Sequence, residues 1–366
     1  MSIFEHKIFQ SNASEIGVAL QELFAKINSV ELTPVRLVIF CNVTSNEQYS
    51  ELRATIEQGT KNHYADAAPL VALIAQTPLD AEFAAEVTFV DSEKNAIVRH
   101  PNYITLNDEI LLTGAIYTSN ADSIAEQSDD IFAQLGEILD KEEYYINDIV
   151  RQWNYIEQIT HLSPEGQNYQ QFNDARSRFY SKTDWANGYP AATGIGTSHG
   201  GVTIVVDAAK NSSKCSQAID NPLQVSAHAY SQQVLIDSDN TRHKSTPKFE
   251  RARRLDIGGG SMIYISGTAA IRGEESSPSN DIVEQLKLTM ENIAHLYNSS
   301  EYGVEMLRIY LKHRSNWPEV KSWIENNCNE IEALCIEADI CRQELLIEIE
   351  GIANKKNRNK INFTTL

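Results

Sequence analysis

The feature that most constrains the fold is an internal repeat of segments. Strand-like stretches at 109–116 and 262–269 each run into a turn and an acidic loop, and an amphipathic helix follows each loop. In both halves a strand with an arginine near its start comes next, at Arg151 and Arg308, before a second helix and a closing β-rich stretch. This order predicts an α+β fold of two modules, with mixed sheets and with helices packed on one face.

The repeat also predicts how the chain is divided. We expect an N-terminal module at 1–210, in which extra strands at 36–40 and 70–74 extend the sheet, and a C-terminal module at 248–353. Residues 211–247 are rich in Ser, Asn, Gln and Asp, which is typical of a connecting segment. Residues 354–366 are basic and polar and indicate a flexible tail.

The charge of the chain excludes one class of partner. The formal net charge is −19, with 50 acidic and 31 basic residues, which argues against binding to nucleic acid. A secretory start and an apolar run of ~18 residues are both absent from the sequence, so we expect a cytoplasmic protein without a membrane partner. A small anionic ligand stays open, because a few arginines in one cleft can create a local positive field.

The second module resembles the Rid/YjgF superfamily, whose fold is chorismate-mutase-like, over about residues 250–353. The likeness lies in the strand end Ile265-Ser266-Gly267, the strand at 308–311 and the ending at 347–353, in which Glu348 and Glu350 share one strand face. A solvated edge strand is the alternative explanation of that ending. In the imine-deaminase branch an arginine lies fifteen residues before the active-site glutamate; here that position is Ala333. An ordinary imine deaminase is therefore not expected.

Four segments in the right order resemble the chorismatase family: 150–156, 172–176, 190–196 and 338–350. The resemblance implies an enzyme that cleaves the enolpyruvyl ether of chorismate and releases pyruvate, with no metal and no organic cofactor. The second product would be a hydroxybenzoate or a dihydroxycyclohexadiene carboxylate. The reaction needs a carboxylic acid that stays protonated near neutral pH and cations that hold two carboxylates.

Glu348 is the predicted general acid. It occupies the position of the superfamily's active-site glutamate and follows the apolar run Leu345-Leu346-Ile347, where desolvation raises a carboxyl pKa. Glu350 could hold Glu348 protonated by like-charge repulsion, although we favour a structural role for it. The family resemblance implies that Cys341, also predicted at the catalytic site, favours 3-hydroxybenzoate as the product.

Arg151 is the first candidate for binding a substrate carboxylate, because it shares a strand face with Trp153 and Tyr155. A surface ion pair is the alternative. The other predicted substrate-binding residues are Tyr155 in that strand, Thr193, Gly194 and Gly196 in a turn that offers backbone N–H groups, Arg342, and Ala270 opposite Cys341 (Ala269 is the alternative). Arg176, Arg178 and Arg272 are weaker candidates.

Two other readings of the sequence stay open. One is a Rid-like hydrolase or deaminase that acts on another small molecule, and the second is a non-catalytic ligand-binding protein on the same fold. The sequence is compatible with a monomer or a homotrimer.

Overall fold

The computed structural model describes residues 3–118, 121–236, 243–328 and 330–355, which form a mixed α+β fold with three main sheets. The first sheet lies within residues 5–90 and has the strand order β1-β5-β2-β3. Its region contains β1 (Glu5–Ser11), α1 (Ile16–Ile27), β2 (Thr33–Cys41), α2 (Asn46–Tyr64), a 3-10 turn (Ala65–Ala67), β3 (Leu70–Ala75), β4 (Thr77–Pro78) and β5 (Phe83–Val90).

The second sheet follows at residues 97–209, and its path runs β13-β10-β14-β8-β7-β6. Its elements are β6 (Ile97–Arg99), β7 (Tyr103–Leu106), β8 (Ile110–Thr113), β9 (Ile116–Tyr117), α3 (Ile124–Lys141), a 3-10 turn (Ile146–Asp148), β10 (Ile149–Glu157), β11 (Leu162–Ser163), β12 (Gly166–Gln167), α4 (Asn168–Tyr180), β13 (Ala191–Thr197) and β14 (Val202–Ala209).

The third sheet is formed mainly by residues 216–354, in the order β15-β16-β17-β22-β20-β21-β4. Its region contains α5 (Ser212–Cys215), β15 (Ser216–Ile219), a 3-10 turn (Ala227–Ala229), β16 (Ala252–Ile257), β17 (Gly260–Ala269), β18 (Ile271–Arg272), β19 (Glu275–Ser276), α6 (Ile282–Ala294), β20 (Gly303–Leu311), a 3-10 turn (Arg314–Asn316), α7 (Trp317–Asn327), β21 (Glu332–Glu337) and β22 (Ile347–Asn354).

All three sheets contain the same four-strand unit. The orders β1-β5-β2-β3, β8-β14-β10-β13 and β17-β22-β20-β21 are equivalent, with one helix before the third strand of each order and another after it. The expectation that 36–40 and 70–74 extend the sheet of the first module is therefore wrong. The physical reason is β5, which pairs with both β1 and β2 and so closes a separate sheet.

Helices cover one face of each sheet, as the sequence predicts. Three apolar cores lie between the sheets and their helices, and a fourth core joins side chains from all three sheets, including Phe40, Trp153 and Tyr264. The faces that carry no helices therefore meet at the centre of the molecule, which explains why strands such as β10 and β22 are buried along almost their whole length.

Two predicted boundary segments have more structure than expected. Within 211–247, β15 pairs with β16 and so joins the third sheet. At the C-terminal end β22 extends to the buried Asn354, so the predicted tail begins later; its residues 356–366 lie outside the described residues. Among the described residues, no helix has the length and apolar character needed to cross a membrane.

Candidate active site

A cycle of buried ion pairs joins the three sheets at the centre. Each pair connects an arginine of one sheet to a carboxylate of the next, so that the three pairs close a ring: Arg36 with Asp207, Arg151 with Glu350, and Arg308 with Glu86. The three arginines lie on the equivalent strands β2, β10 and β20. The repeated arginine of the sequence is thus a feature of the packing between sheets.

Glu350 on β22 has the most partners in this ring. Its carboxylate lies 2.5 Å from Nη2 of Arg151 and 2.6 Å from Nη1 of Arg308, and it accepts hydrogen bonds from Thr193, Trp153 and Tyr310. Burial alone would raise the pKa of Glu350, but the two guanidinium groups and the hydrogen bonds outweigh burial and lower it. Glu350 is therefore an ionised carboxylate in the protein interior.

Glu348 lies two residues earlier on the same strand and faces a cavity. Its side chain is only 5% exposed, and no described residue forms a hydrogen bond with its carboxyl group. Burial raises the pKa of Glu348 to about 8, the negative charge of Glu350 adds to this shift, and Arg251 and Arg151 oppose it. At neutral pH Glu348 is thus a protonated carboxylic acid that can donate its proton into the cavity.

The cavity lies between the second and third sheets. It encloses about 740 Å³ of space outside the protein atoms and is partly open to solvent. Its apolar and aromatic lining consists of Tyr169, Ala192, Tyr230, Val234, Leu235, Ile236, Pro247, Phe249, Ala269, Ile271 and Leu345.

Two guanidinium groups line the same cavity. Arg251 donates to the carbonyl oxygen of Val225 and to the hydroxyl of Tyr230, and its buried Nε has no partner. Arg342 donates to the carbonyl oxygen of Glu274 and lies over the ring of Tyr230. Among the described residues, neither arginine forms an ion pair with a carboxylate. Both can therefore bind an anionic ligand.

The position of the Glu348 carboxyl depends on a missing side chain. A Cβ atom built on Gly267 of β17 would lie 2.0 Å from Oε1 of Glu348, so a larger residue at this position would displace the carboxyl group. The backbone N–H of Gly267 donates to Oγ1 of Thr193 at 3.0 Å, and Thr193 in turn donates to Glu350. Thr193 thus joins β13 of the second sheet to β17 and to β22, the strand that carries Glu348.

Four of the predicted site residues line the cavity together: Glu348, Cys341, Arg342 and Gly194. Burial raises the pKa of Cys341 to about 12, with a further contribution from Glu348, so Cys341 is a neutral thiol. Ala269 lines the cavity, whereas Ala270 is fully buried beside it. Ala269 also pairs with Glu348 across β17 and β22.

The structure places the other predicted residues outside the cavity lining. Arg151 and Thr193 bind Glu350, and the hydroxyl of Tyr155 accepts a hydrogen bond from Arg308. Gly196 donates its backbone N–H to the carbonyl oxygen of Asp339, and a Cβ there would lie 2.8 Å from that oxygen. These contacts are structural, and the predicted Arg151 strand does meet the Glu348 strand, through Glu350.

Sequence reasoning missed several lining residues, above all Arg251, Tyr169, Tyr230 and Asn173. Tyr230 belongs to the predicted connecting segment, and Arg251 lies at the start of the predicted C-terminal module, outside the motifs that carry the family resemblance. Asn173 lies within one of the four family segments, where its Oδ1 accepts from Arg176 at 2.5 Å. The signal that could have found Arg251 is the charged and aromatic run Phe249-Glu250-Arg251 before a buried strand.

Residues 88–208 match the family model described as chorismatase FkbO/Hyg5-like, N-terminal. A 3-hydroxybenzoate synthase of Streptomyces hygroscopicus is 28% identical over 230 residues, which are 58% of this chain and 65% of the relative. A chorismatase of Streptomyces rapamycinicus is 29% identical over 222 residues, 56% of this chain and 63% of the relative. The chain thus aligns with less than two thirds of the length of these curated relatives.

A crystal structure of a chorismatase superposes with a TM-score of 0.71 and 21% identity, covering 96% of this chain and 99% of that one. The fold of this chain is therefore a chorismatase fold along almost its whole length. Together with the match of residues 88–208, this confirms the predicted resemblance to the chorismatase family.

Proposed function

We propose that the chain is a chorismatase, which cleaves the enolpyruvyl ether of chorismate and releases pyruvate. The observation that carries the proposal is the protonated Glu348 in a cavity that also contains two guanidinium groups; among the described residues, neither the acid nor the guanidinium groups have a carboxylate partner within ion-pair distance. Chorismate needs one proton donor and two carboxylate-binding groups, and this set supplies all three. The names of the curated relatives support the same substrate.

In the proposed reaction Glu348 transfers its proton to the terminal methylene carbon of the enol ether. The C=C bond is consumed, and an oxocarbenium ion forms at the ether carbon. Attack by water gives a hemiketal that collapses to pyruvate and a dihydroxycyclohexadiene carboxylate. Attack by the ring hydroxyl instead closes a cyclic ketal, and the ring becomes aromatic when the ether-bearing ring carbon loses its proton and the ring C–O bond of that hydroxyl breaks. The hemiketal that results collapses to pyruvate and 3-hydroxybenzoate without net consumption of water. Glu348 recovers its proton as the intermediate collapses.

Arg251 and Arg342 would hold the two substrate carboxylates, because a guanidinium matches a carboxylate in shape and charge. The apolar walls and the rings of Tyr169, Tyr230 and Phe249 would enclose the flat ring. Cys341 lies beside Glu348 as a neutral thiol, and we propose 3-hydroxybenzoate as the product on the strength of the family resemblance at this position. We assign to Arg251 the carboxylate-binding role that the sequence predicts for Arg151, because Arg251 lines the cavity and Arg151 binds Glu350.

We also propose that the enzyme works in the cytoplasm. All five cysteines are unpaired in the structure, as expected for a reducing compartment. A monomer is the assembly we favour over a homotrimer, because three equivalent sheets already meet within one chain.

The test is incubation of the purified protein with chorismate, with pyruvate release followed through lactate dehydrogenase and the second product identified by mass spectrometry. Stoichiometric pyruvate and 3-hydroxybenzoate are expected. Release of the diene carboxylate would correct the product only. Absence of pyruvate with intact, folded protein would contradict the proposed function and favour a ligand-binding protein or an enzyme for another substrate.

A further inference from the structure

Glu350 lies where it can act on the acid without touching the substrate. It is 3% exposed and does not line the cavity, yet it is two residues from Glu348 on the same strand face. Alternate residues of a strand are about 7 Å apart, which is close enough for one buried charge to change the ionisation of the other.

We propose that Glu350 is a positioning residue that keeps Glu348 in its proton-donating form, an inference that rests on the proposed role of Glu348 as the acid. The reason is the set of cations around it. Arg151 and Arg308 lie within 2.6 Å of the Glu350 carboxylate. Without the negative charge of Glu350, Arg151 would favour the ionised form of Glu348 unopposed, and the acid would lose its proton more readily.

The other groups around Glu348 act in both directions. Glu350 and burial favour its protonated form, whereas Arg151 on β10 and Arg251 before β16 favour the ionised form. The other titratable or charged groups that line the same cavity are Tyr169 on α4, Tyr230 before β16, and Cys341 and Arg342 in the loop before β22. Glu350 is thus the one carboxylate, among the described residues that act on Glu348, that opposes the arginines.

Thr193 fixes the geometry of this arrangement. Its hydroxyl accepts from Arg151 at 2.8 Å and from the N–H of Gly267 at 3.0 Å, and it donates to Glu350. Gly267 in turn contacts the carboxyl of Glu348. The same hydroxyl therefore holds the negative charge, the cation and the backbone against which the acid rests.

The test compares Glu350→Gln with Glu350→Asp and with Glu86→Gln. Glu350→Gln keeps the shape but removes the charge, so the decline of kcat/KM at high pH should move down by about one to two pH units. Glu350→Asp keeps the charge and should leave the position of this decline unchanged, even if kcat falls. Glu86→Gln removes another carboxylate of the ion-pair cycle, the equally buried partner of Arg308. The pH at which kcat/KM declines should also stay unchanged in this variant.

A second measurement needs neither activity nor a stable Glu350→Gln protein. Carbon-13 NMR of glutamate carboxyls in the wild type should show one buried group that is protonated at pH 7 and lost in Glu348→Gln. It should show another, lost in Glu350→Gln or Glu350→Asp, that titrates below the ordinary glutamate range. A Glu350 carboxyl protonated at pH 7, or an unmoved pH profile in folded Glu350→Gln, would overturn the inference. Because the NMR titration uses no substrate, its result is independent of whether chorismate is turned over.

Discussion

Two corners of the ion-pair ring, each formed by one arginine–carboxylate pair, have the same contacts but different surroundings. At one corner Arg151 binds Glu350, and at the other Arg36 binds Asp207 at 2.5 Å. In each corner a tyrosine also donates to the carboxylate: Tyr310 to Glu350 and Tyr264 to Asp207. The difference lies two residues earlier on the carboxylate strand. There β22 has Glu348 facing a cavity, whereas β14 has the buried, apolar Val205.

The comparison indicates that the three ion pairs have a common structural role, and that the interface with Glu350 has a second buried carboxyl group in addition. A buried arginine–carboxylate pair by itself has no proton to donate at neutral pH, because each partner stabilises the charge of the other. When a second carboxyl group is buried beside such a pair, the arginine already neutralises the first carboxylate. Burial therefore raises the pKa of the second carboxyl group and keeps it protonated. One interface out of three meets this condition among the described residues.

The largest expected effect comes from the residue that distinguishes the two corners. Glu348→Gln keeps the volume but removes the transferable proton, so kcat with chorismate should fall by about 10²–10⁴-fold with binding retained. Steady-state kinetics and calorimetric binding measure the two quantities. The control is Glu344→Gln, an exposed carboxylate in the same loop, which should leave kcat unchanged. If folded Glu348→Gln turns over chorismate at nearly the wild-type rate, a residue other than Glu348 is the proton donor.

A change of position should cost less than a loss of the proton. Gly267→Ala adds a Cβ where the Glu348 carboxyl lies, so the acid must shift, and kcat should fall by roughly 10²-fold. The matched control is Gly17→Ala in α1, where a Cβ meets nothing within 4 Å. Equal activity of the two variants would show that the placement of the carboxyl beside Gly267 does not matter for turnover.

The arginines of the cavity should mainly affect substrate binding. Arg251→Met and Arg342→Met each remove a charged hydrogen bond to a carboxylate, so kcat/KM should fall about 10- to 100-fold, chiefly through KM. Arg178→Met provides the control, because Arg178 forms an exposed ion pair with Asp129 and does not line the cavity. An unchanged KM in both cavity variants would assign carboxylate binding elsewhere.

The corner without the acid should have the smallest effect on catalysis. Arg36→Met leaves Asp207 buried without its cation, which should lower the free energy of unfolding by about 3–5 kcal/mol. The pH dependence of kcat/KM should stay as in the wild type, since Arg36 does not act on Glu348. Urea unfolding and a pH profile on the same preparation measure both. A shifted profile would mean that the corners are coupled.

The sequence predicts the fold better than it predicts the site. The repeat of strands and helices correctly gives the α+β class, the helices on one face and the burial of Glu348, because periodicity and strand alternation are local properties. The third copy of the unit, at residues 5–90, escapes this reasoning because its pairing depends on β5, a strand without a distinctive local pattern.

The site depends on contacts that are distant in sequence. Arg151 has the right type and neighbours for substrate binding, yet its partner is Glu350, 199 residues away. Arg251 has no motif, but the folding of residues 216–257 against β17 brings it to the cavity. Which arginine binds a protein carboxylate and which stays free for a ligand is decided by tertiary packing alone.

The most direct test of the proposed general acid is the pH profile of kcat/KM for chorismate. Glu348 must be protonated to act, and its pKa is raised to about 8, so the profile should be level through neutrality and decline about tenfold per pH unit above that value. In Glu348→Gln this decline should disappear with the activity. A wild-type rate that climbs steadily above pH 8 would instead require an ionised group as a base and would contradict the account.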